Sequence, residues 1–139
     1  MKNLLFLLLV LLFIPTISSA QITLFIEIET IRNNNGQILL EFNSETEEVV
    51  KGISEKIAEN KCIITVENLK PGNYAFKYFH DENMDEKINT NFMGLPREGY
   101  GFSNNAKGKF GPPTFDKMIF EVTHTDTIKC TPTYILKQK

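Results

Sequence analysis

Apolar residues occupy every second position in nearly all the hydrophobic stretches of this chain. In the first of these stretches four aliphatic residues share one parity: Ile22, Leu24, Ile26 and Ile28. Successive side chains of a β-strand point to opposite faces of the sheet, so this spacing predicts strands with one buried face. The alternation therefore favours an all-β fold.

The same alternation recurs along the chain between signals for tight turns. Asn33–Gly36 and Leu69–Asn73 are typical turn sequences, because Asn and Gly tolerate positive φ and Pro presets a bend. Later strands are predicted in five further stretches: 38–42, 61–67, 74–80, 117–124 and 126–136. Residues 44–60 fit either a short helix or an irregular edge strand. About seven short strands, without a convincing long helix, predict an antiparallel β-sandwich.

The first twenty residues have the organisation of a secretory signal peptide. Lys2 precedes an apolar run of 11 residues at 4–14, and small residues close the segment at 18–20. A membrane-spanning helix needs about 20 apolar residues, so this run is too short to be one. We expect cleavage after Ala20, a single domain over 21–139 without a transmembrane segment, and export to the periplasm or the cell exterior.

Charge and composition argue against nucleic acid as a partner. The whole chain has a formal net charge of −2, and removal of Lys2 makes the mature domain more acidic. Lysine and arginine form no cluster that could follow a phosphate backbone. A glycan, a peptide or a cell-surface molecule is the expected kind of partner.

Two cysteines follow the predicted cleavage site, and the sequence leaves their state open. Cys62 and Cys130 each lie on the apolar parity of a predicted strand. An oxidising compartment permits a disulfide, which would add roughly 2–4 kcal/mol if the two strands are neighbours. The alternative is two buried free thiols that pack as small hydrophobic groups.

A long loop, residues 80–114, separates two predicted strands. Structureless loops of this length are uncommon in compact domains, and this one is too rich in aromatic residues for a disordered linker. We therefore expect an ordered excursion that covers one end of the sandwich.

The start of this loop resembles a calcium-binding loop. Four oxygen-bearing residues stand at positions 1, 3, 5 and 9 of such a loop: Asp81, Asn83, Asp85 and Asn89. Glu86 replaces the glycine of position 6 and Phe92 replaces the bidentate glutamate of position 12, so Glu98 would have to supply a further ligand. The sequence predicts either a Ca²⁺ site or a turn in which Asp and Asn bond their own backbone. No other cofactor is expected.

The second half of the loop combines glycines with aromatic and charged residues. The predicted ligand-binding set is Arg97, Glu98, Tyr100 and Phe102. Arginine supplies a planar donor, and aromatic rings supply flat apolar faces that suit a sugar or a peptide. The alternative is that these aromatic side chains pack beneath the loop and cover the end of the core.

Signals for catalysis are weak. Ser103 lies in a segment only superficially similar to a nucleophile elbow, because the closing glycine is missing, so a turn or capping role fits it better. His80 and His124 end predicted strands without a metal-ligand spacing. We expect a non-catalytic binding or structural module. The alternative is a small hydrolase that acts on glycan or peptide at the same loop, through His80 and acidic residues such as Glu98.

Five segments form a longer and more specific pattern: Pro71-Gly72, His80–Asn83, Gly94–Tyr100, Phe102–Asn105 and Phe110–Pro113. This pattern is similar to that of the domain-of-unknown-function 2141 family, over about residues 22–134. The resemblance implies a small secreted β domain of prealbumin-like or immunoglobulin-like appearance, without an established activity. Family members commonly carry Gly and Asp where this chain has Glu86 and Asn89.

Overall fold

The computed structural model describes residues 21–136, so the predicted signal peptide at 1–20 lies outside the described residues. Eight strands form the regular structure: β1 (Ile22–Ile28), β2 (Gln37–Ser44), β3 (Val49–Lys56), β4 (Cys62–Leu69), β5 (Gly72–Asp81), β6 (Tyr100–Phe102), β7 (Phe120–Val122) and β8 (Asp126–Cys130). Two short 3₁₀ turns, Ser103–Asn105 and Phe115–Lys117, lie between β6 and β7. Within this range no helix is long and apolar enough to cross a membrane.

The strands form two sheets. One sheet has the order β4-β1-β8, and the other has the order β3-β2-β5-β6, with β7 also paired to β5. The paired strands are antiparallel except β1 and β8, which run parallel. The expected all-β sandwich is confirmed. The parallel pair departs from the expected antiparallel order because side-chain alternation does not specify strand direction.

The core lies between the two sheets and follows the predicted alternation. The four β1 residues of the first apolar parity are at most 5% exposed. From the larger sheet, Phe42 and Phe76 are fully buried. Phe42 stacks on Tyr74 with ring centroids 5.1 Å apart, and Phe76 meets Phe120 edge to face at 5.6 Å. Each buried aromatic ring stabilises the fold by about 1.5–3 kcal/mol.

The segment with two alternative predictions forms the edge strand β3, so the helix alternative is wrong. β3 pairs with β2 and is exposed at seven of its eight positions. Ile53 is partly buried and packs against the core. Charged residues at Lys51 and Glu55 make this exposed edge a poor template for another strand.

The two cysteines lie in the smaller sheet, and β1 separates them. Cys62 on β4 and Cys130 on β8 are both opposite Ile28, one on each side. Two strand spacings amount to about 10 Å, whereas a disulfide requires Cα atoms within about 7 Å. Both cysteines are free and buried. The disulfide alternative is therefore corrected to a pair of buried thiols.

We expect both thiols to resist modification while the protein is folded. Burial raises the pKa of Cys62 from 9.0 to about 12 and the pKa of Cys130 to about 11, so the reactive thiolate is scarce at neutral pH. Ellman's reagent should react with neither thiol in native protein and with both in urea. Rapid reaction of the native protein, or fewer than two reactive thiols in urea, would contradict this assignment. Because the unfolded thiols ionise near pH 9, their contribution to stability is complete below pH 9 and declines as the pH rises above it.

Candidate functional site

The loop between β5 and β6 begins at a buried carboxylate. Asp81 is fully buried and accepts hydrogen bonds from the backbone N–H groups of Asp85 and Glu86, each at 3.1 Å. Gln37 on the neighbouring strand donates to the same carboxylate at 3.1 Å. Asp81 therefore fixes both the curvature of the loop and its position against the sheet.

Three of the predicted calcium ligands meet at the tip of this curve. The Asn83 amide nitrogen donates to Asp85 at 2.9 Å and to Asn89 at 3.2 Å, and the Asn89 amide donates to Asp85 at 2.8 Å. These bonds from Asn89 and Asn83 hold the pKa of the Asp85 carboxyl below its usual value of 3.8. The structure thus brings Asn83, Asp85 and Asn89 together above the buried Asp81.

The backbone of the loop adopts the left-handed conformation at two non-glycine residues. Met84 has φ of 62° and Glu86 has φ of 61°. Left-handed backbone costs a residue with a Cβ about 1–2 kcal/mol. Glu86 occupies position 6, where a calcium loop places glycine for this same conformation. At position 6 this loop therefore differs from a calcium loop in residue type but has the same backbone conformation.

Glu98 anchors the far end of the loop. Its side chain is 5% exposed and accepts N–H bonds from Glu82 at 3.1 Å and from Asn89 at 2.8 Å. Both carboxylate oxygens are thus bound to backbone of the same loop. Glu98 was the predicted source of a further metal ligand, and the structure places it as a clamp beside the cluster.

The donor set for a cation depends on amide oxygens. In residues 21–136 no three His, Cys, Asp or Glu side chains come together in a way that could hold a metal ion. Asp81 and Asp85 supply two carboxylates, and Asn83 and Asn89 add side-chain amides. Carboxylate and amide oxygens are ligands that Ca²⁺ accepts, so the residue types fit this ion better than they fit zinc.

His80 is a buried structural residue. Its Nε2 lies 2.7 Å from the carbonyl oxygen of Asn35, and its Nδ1 lies 3.0 Å from the hydroxyl of Tyr134. A carbonyl oxygen only accepts, so Nε2 carries the proton and Tyr134 donates to Nδ1. His124 is 74% exposed and lies beyond the opposite end of β5, so the two histidines do not meet.

Arg32 joins the loop to the C-terminal segment, a role that the sequence did not indicate. Its guanidinium pairs with Glu82 and donates to the carbonyl oxygens of Arg97 at 3.0 Å and Leu136 at 3.2 Å. It also lies over the Tyr134 ring, 4.6 Å from the centroid. These partners are 50 to 104 residues away in sequence, so no local pattern could have identified them.

Tyr100 and Phe102 lie on a groove, and the other two predicted ligand-binding residues do not line it. The groove covers the outer face of the larger sheet and has a volume of about 1290 Å³. Ile88 and Leu95 of the β5–β6 loop line one part, and Phe110 of the segment after β6 lines another. Arg97 and Glu98 instead hold the loop in place.

The groove also has a sequence signal. Leu39 and Phe79 line it, and both fall on the parity of their strands that alternation assigns to solvent. Large apolar residues at solvent-facing positions of adjacent strands indicate a second apolar face. This signal could have located the groove before the structure was known.

Ser103 lies in a buried hydrogen-bond network at the end of β6. It is fully buried, accepts from the Phe76 N–H at 3.1 Å and donates to the Met118 carbonyl oxygen at 2.6 Å. Asn104 donates to the carbonyl oxygens of Lys117 and Ile119. The turn-forming interpretation of Ser103 agrees with this arrangement, which leaves its hydroxyl bonded and shielded from solvent.

The comparisons with known proteins point to one family. The model of an uncharacterized protein conserved in bacteria (DUF2141) matches residues 26–129. Searches of curated proteins and of solved structures returned no match. Because the matched range covers well over half of the 139 residues, the chain belongs to the bacterial family DUF2141.

Proposed function

We propose that this protein is an exported, non-catalytic binding module, and that Ca²⁺ held in the β5–β6 loop stabilises one wall of its groove. One observation carries the proposal: the loop that gathers the oxygen-bearing side chains also contributes Glu86, Ile88 and Leu95 to the groove. A cation that fixed the loop would fix that wall. Export is supported by Lys2, the apolar run at 4–14 and the small residues at 18–20.

The side chains of the cluster are suited to bind Ca²⁺ after a small rearrangement. Asp85 is ionised at neutral pH, since its pKa lies below its usual range. Asn83 and Asn89 present amide nitrogens to Asp85, and a half-turn of each amide group would present oxygen instead. Asp81 accepts one hydrogen bond at Oδ1 and two at Oδ2, so Oδ1 keeps a free lone pair.

The rival function, hydrolysis through His80 and acidic residues, receives less support from the geometry. His80 is fully buried and both of its ring nitrogens are hydrogen-bonded. Glu98 is 5% exposed, and both of its carboxylate oxygens accept backbone N–H groups. A general base must reach the substrate, which neither residue could do without breaking its bonds.

Calcium is expected to raise the melting temperature of the protein. A ligand that binds the native state alone adds about 2.7 kcal/mol at 100 times its Kd, which for a domain of this size corresponds to a rise of roughly 8–12 °C. Thermal unfolding should be followed by circular dichroism in EDTA and then in millimolar Ca²⁺. Asp85→Asn removes one ligand charge at an exposed position and should abolish most of the rise.

Asp126→Asn is the matched control, because Asp126 is also exposed but lies at the start of β8. It should retain the full rise in melting temperature. An unchanged melting temperature of the wild type in Ca²⁺ would refute the calcium site. An equal rise in Asp85→Asn would place the bound ion elsewhere.

A further inference from the structure

The floor of the groove consists of two rows of residues that cross four strands. One row, in the order β3, β2, β5, β6, is Ser54, Leu39, Phe79 and Tyr100, and the other is Gly52, Glu41, Lys77 and Phe102. Three strand spacings make this floor about 14 Å wide. The groove volume of about 1290 Å³ exceeds the roughly 300–1,000 Å³ of pockets for compact ligands. The groove therefore has room for a long ligand laid across the four strands.

Four of the eight floor residues carry hydrogen-bonding side chains, Glu41, Lys77, Ser54 and Tyr100, and the first three already have side-chain partners. Glu41 pairs with Lys77 at 3.0 Å, and the Ser54 hydroxyl donates to Gln37 at 3.2 Å. A peptide or a glycan laid on the floor would bury more amides or hydroxyls than the floor can pair, which is unfavourable. A hydrocarbon chain carries no such groups. The floor is therefore better matched to hydrocarbon than to the glycan or peptide expected from the sequence.

The charges around the groove indicate where a polar head would lie. Glu41 and Lys77 neutralise each other on the floor. Glu86 lies on the β5–β6 loop, and Lys109 lies next to the fully exposed Phe110. Among residues 21–136 no ion pair engages Lys109. A carboxylate would be attracted to Lys109 and repelled by Glu86.

We propose that the groove binds a long-chain fatty acid, with its hydrocarbon chain on the Leu39–Phe79 floor and its carboxylate at Lys109. The inference rests on the proposed role as a binding module and does not depend on the calcium site. Apolar walls on two loops and a floor with neutralised charges supply the affinity. Lys109 supplies the preference for an anionic head.

Binding is measured by displacement of 1-anilinonaphthalene-8-sulfonate by saturated fatty acids of 10, 12, 14 and 16 carbons below their micelle concentrations. Each added pair of methylene groups should tighten Kd by roughly tenfold until the groove is filled. Leu39→Glu places a charge on the floor and should weaken binding at least tenfold. Ile63→Glu is the matched control, since Ile63 is an exposed aliphatic residue on β4 of the other sheet. Lys109→Ala should raise the Kd of the fatty acid several-fold and leave the Kd of the alcohol of equal chain length unchanged.

The outcomes separate the two proposals. If the dye binds the wild type, binds Leu39→Glu weakly and is not displaced by any fatty acid, the binding module stands and the fatty-acid inference falls. If neither dye nor fatty acid binds, both the fatty-acid inference and the binding role of the groove fall, and the calcium site is decided by its own melting experiment. Equal weakening by Leu39→Glu and Ile63→Glu, or a Kd that does not change with chain length, would overturn the groove as the fatty-acid site. Phe102→Ser gives a second test of the floor if Leu39→Glu does not fold.

Discussion

Gly36→Ala is expected to lower the free energy of unfolding by roughly 3–5 kcal/mol. Gly36 has φ of 70°, which alone costs alanine about 1 kcal/mol or more. A Cβ at this position would also overlap the carbonyl group of Asp81 and approach the Cα of Glu82. These are backbone atoms and cannot rotate away, so β2 and the end of β5 would have to separate. That movement would strain the adjoining, partly buried hydrogen bond from His80 to the Asn35 carbonyl oxygen.

The measurement is urea unfolding followed by circular dichroism, with Gly94→Ala as the matched control. Gly94 has φ of 78° but nothing within 4 Å of the added Cβ, so it isolates the conformational effect. It should lose only about 1 kcal/mol. If the two variants lose the same free energy of unfolding, the close approach of Gly36 to Asp81 does not explain the loss.

Ser103→Ala is expected to lower the free energy of unfolding by about 3 kcal/mol. Removal of the hydroxyl leaves the Phe76 N–H and the Met118 carbonyl oxygen without their partner, and each unsatisfied buried group costs about 1–3 kcal/mol. The three elements that meet at Ser103 are the centre of β5, the end of β6 and the 3₁₀ turn before β7. Their separation would expose the aromatic part of the core.

Ser54→Ala is the control for this second variant. The Ser54 hydroxyl also makes a side-chain hydrogen bond, to Gln37 at 3.2 Å, but in an exposed position on β3. Its loss should change stability by less than about 0.5 kcal/mol. If the two variants have the same urea midpoint, the hydrogen bonds of Ser103 contribute little to stability.

Local sequence patterns predicted the strands but not how they are arranged. Alternation identified the buried parity of β1, β2, β4 and β5, because burial on one face acts on every second residue whatever the partner strand. It left the edge strand β3 ambiguous, since an exposed strand has no buried face to give a period. It could not show that β1 lies between Cys62 and Cys130, because strand order is set by pairing across long separations.

The candidate site was likewise predicted only where its residues are close together in sequence. Asp81, Asn83, Asp85 and Asn89 were predicted as a group because the loop that joins them is only nine residues long. The contacts of Gln37 and Arg32 with this loop were not predicted, since these residues come from β2 and the turn before it. Glu98 was predicted as a further metal ligand, but its bonds to the loop backbone were not. Tyr100 and Phe102 were predicted either to bind a ligand or to pack beneath the loop, and the groove on which they lie is formed by strands that the sequence could not order.

The parallel pairing of β1 with β8 affects the order in which the chain can assemble during synthesis. Leu24 of β1 lies opposite Asp126 of β8. β1 is therefore synthesised long before β8, the second strand with which it pairs. Until then one edge of β1 carries unpaired backbone groups, and the three-stranded sheet has only two members. Loop closure over such a separation is slow compared with hairpin formation. The larger sheet can begin as local hairpins, whereas the smaller sheet is completed only when β8 has been synthesised and has left the ribosome. A chain that is still being synthesised therefore cannot complete its core.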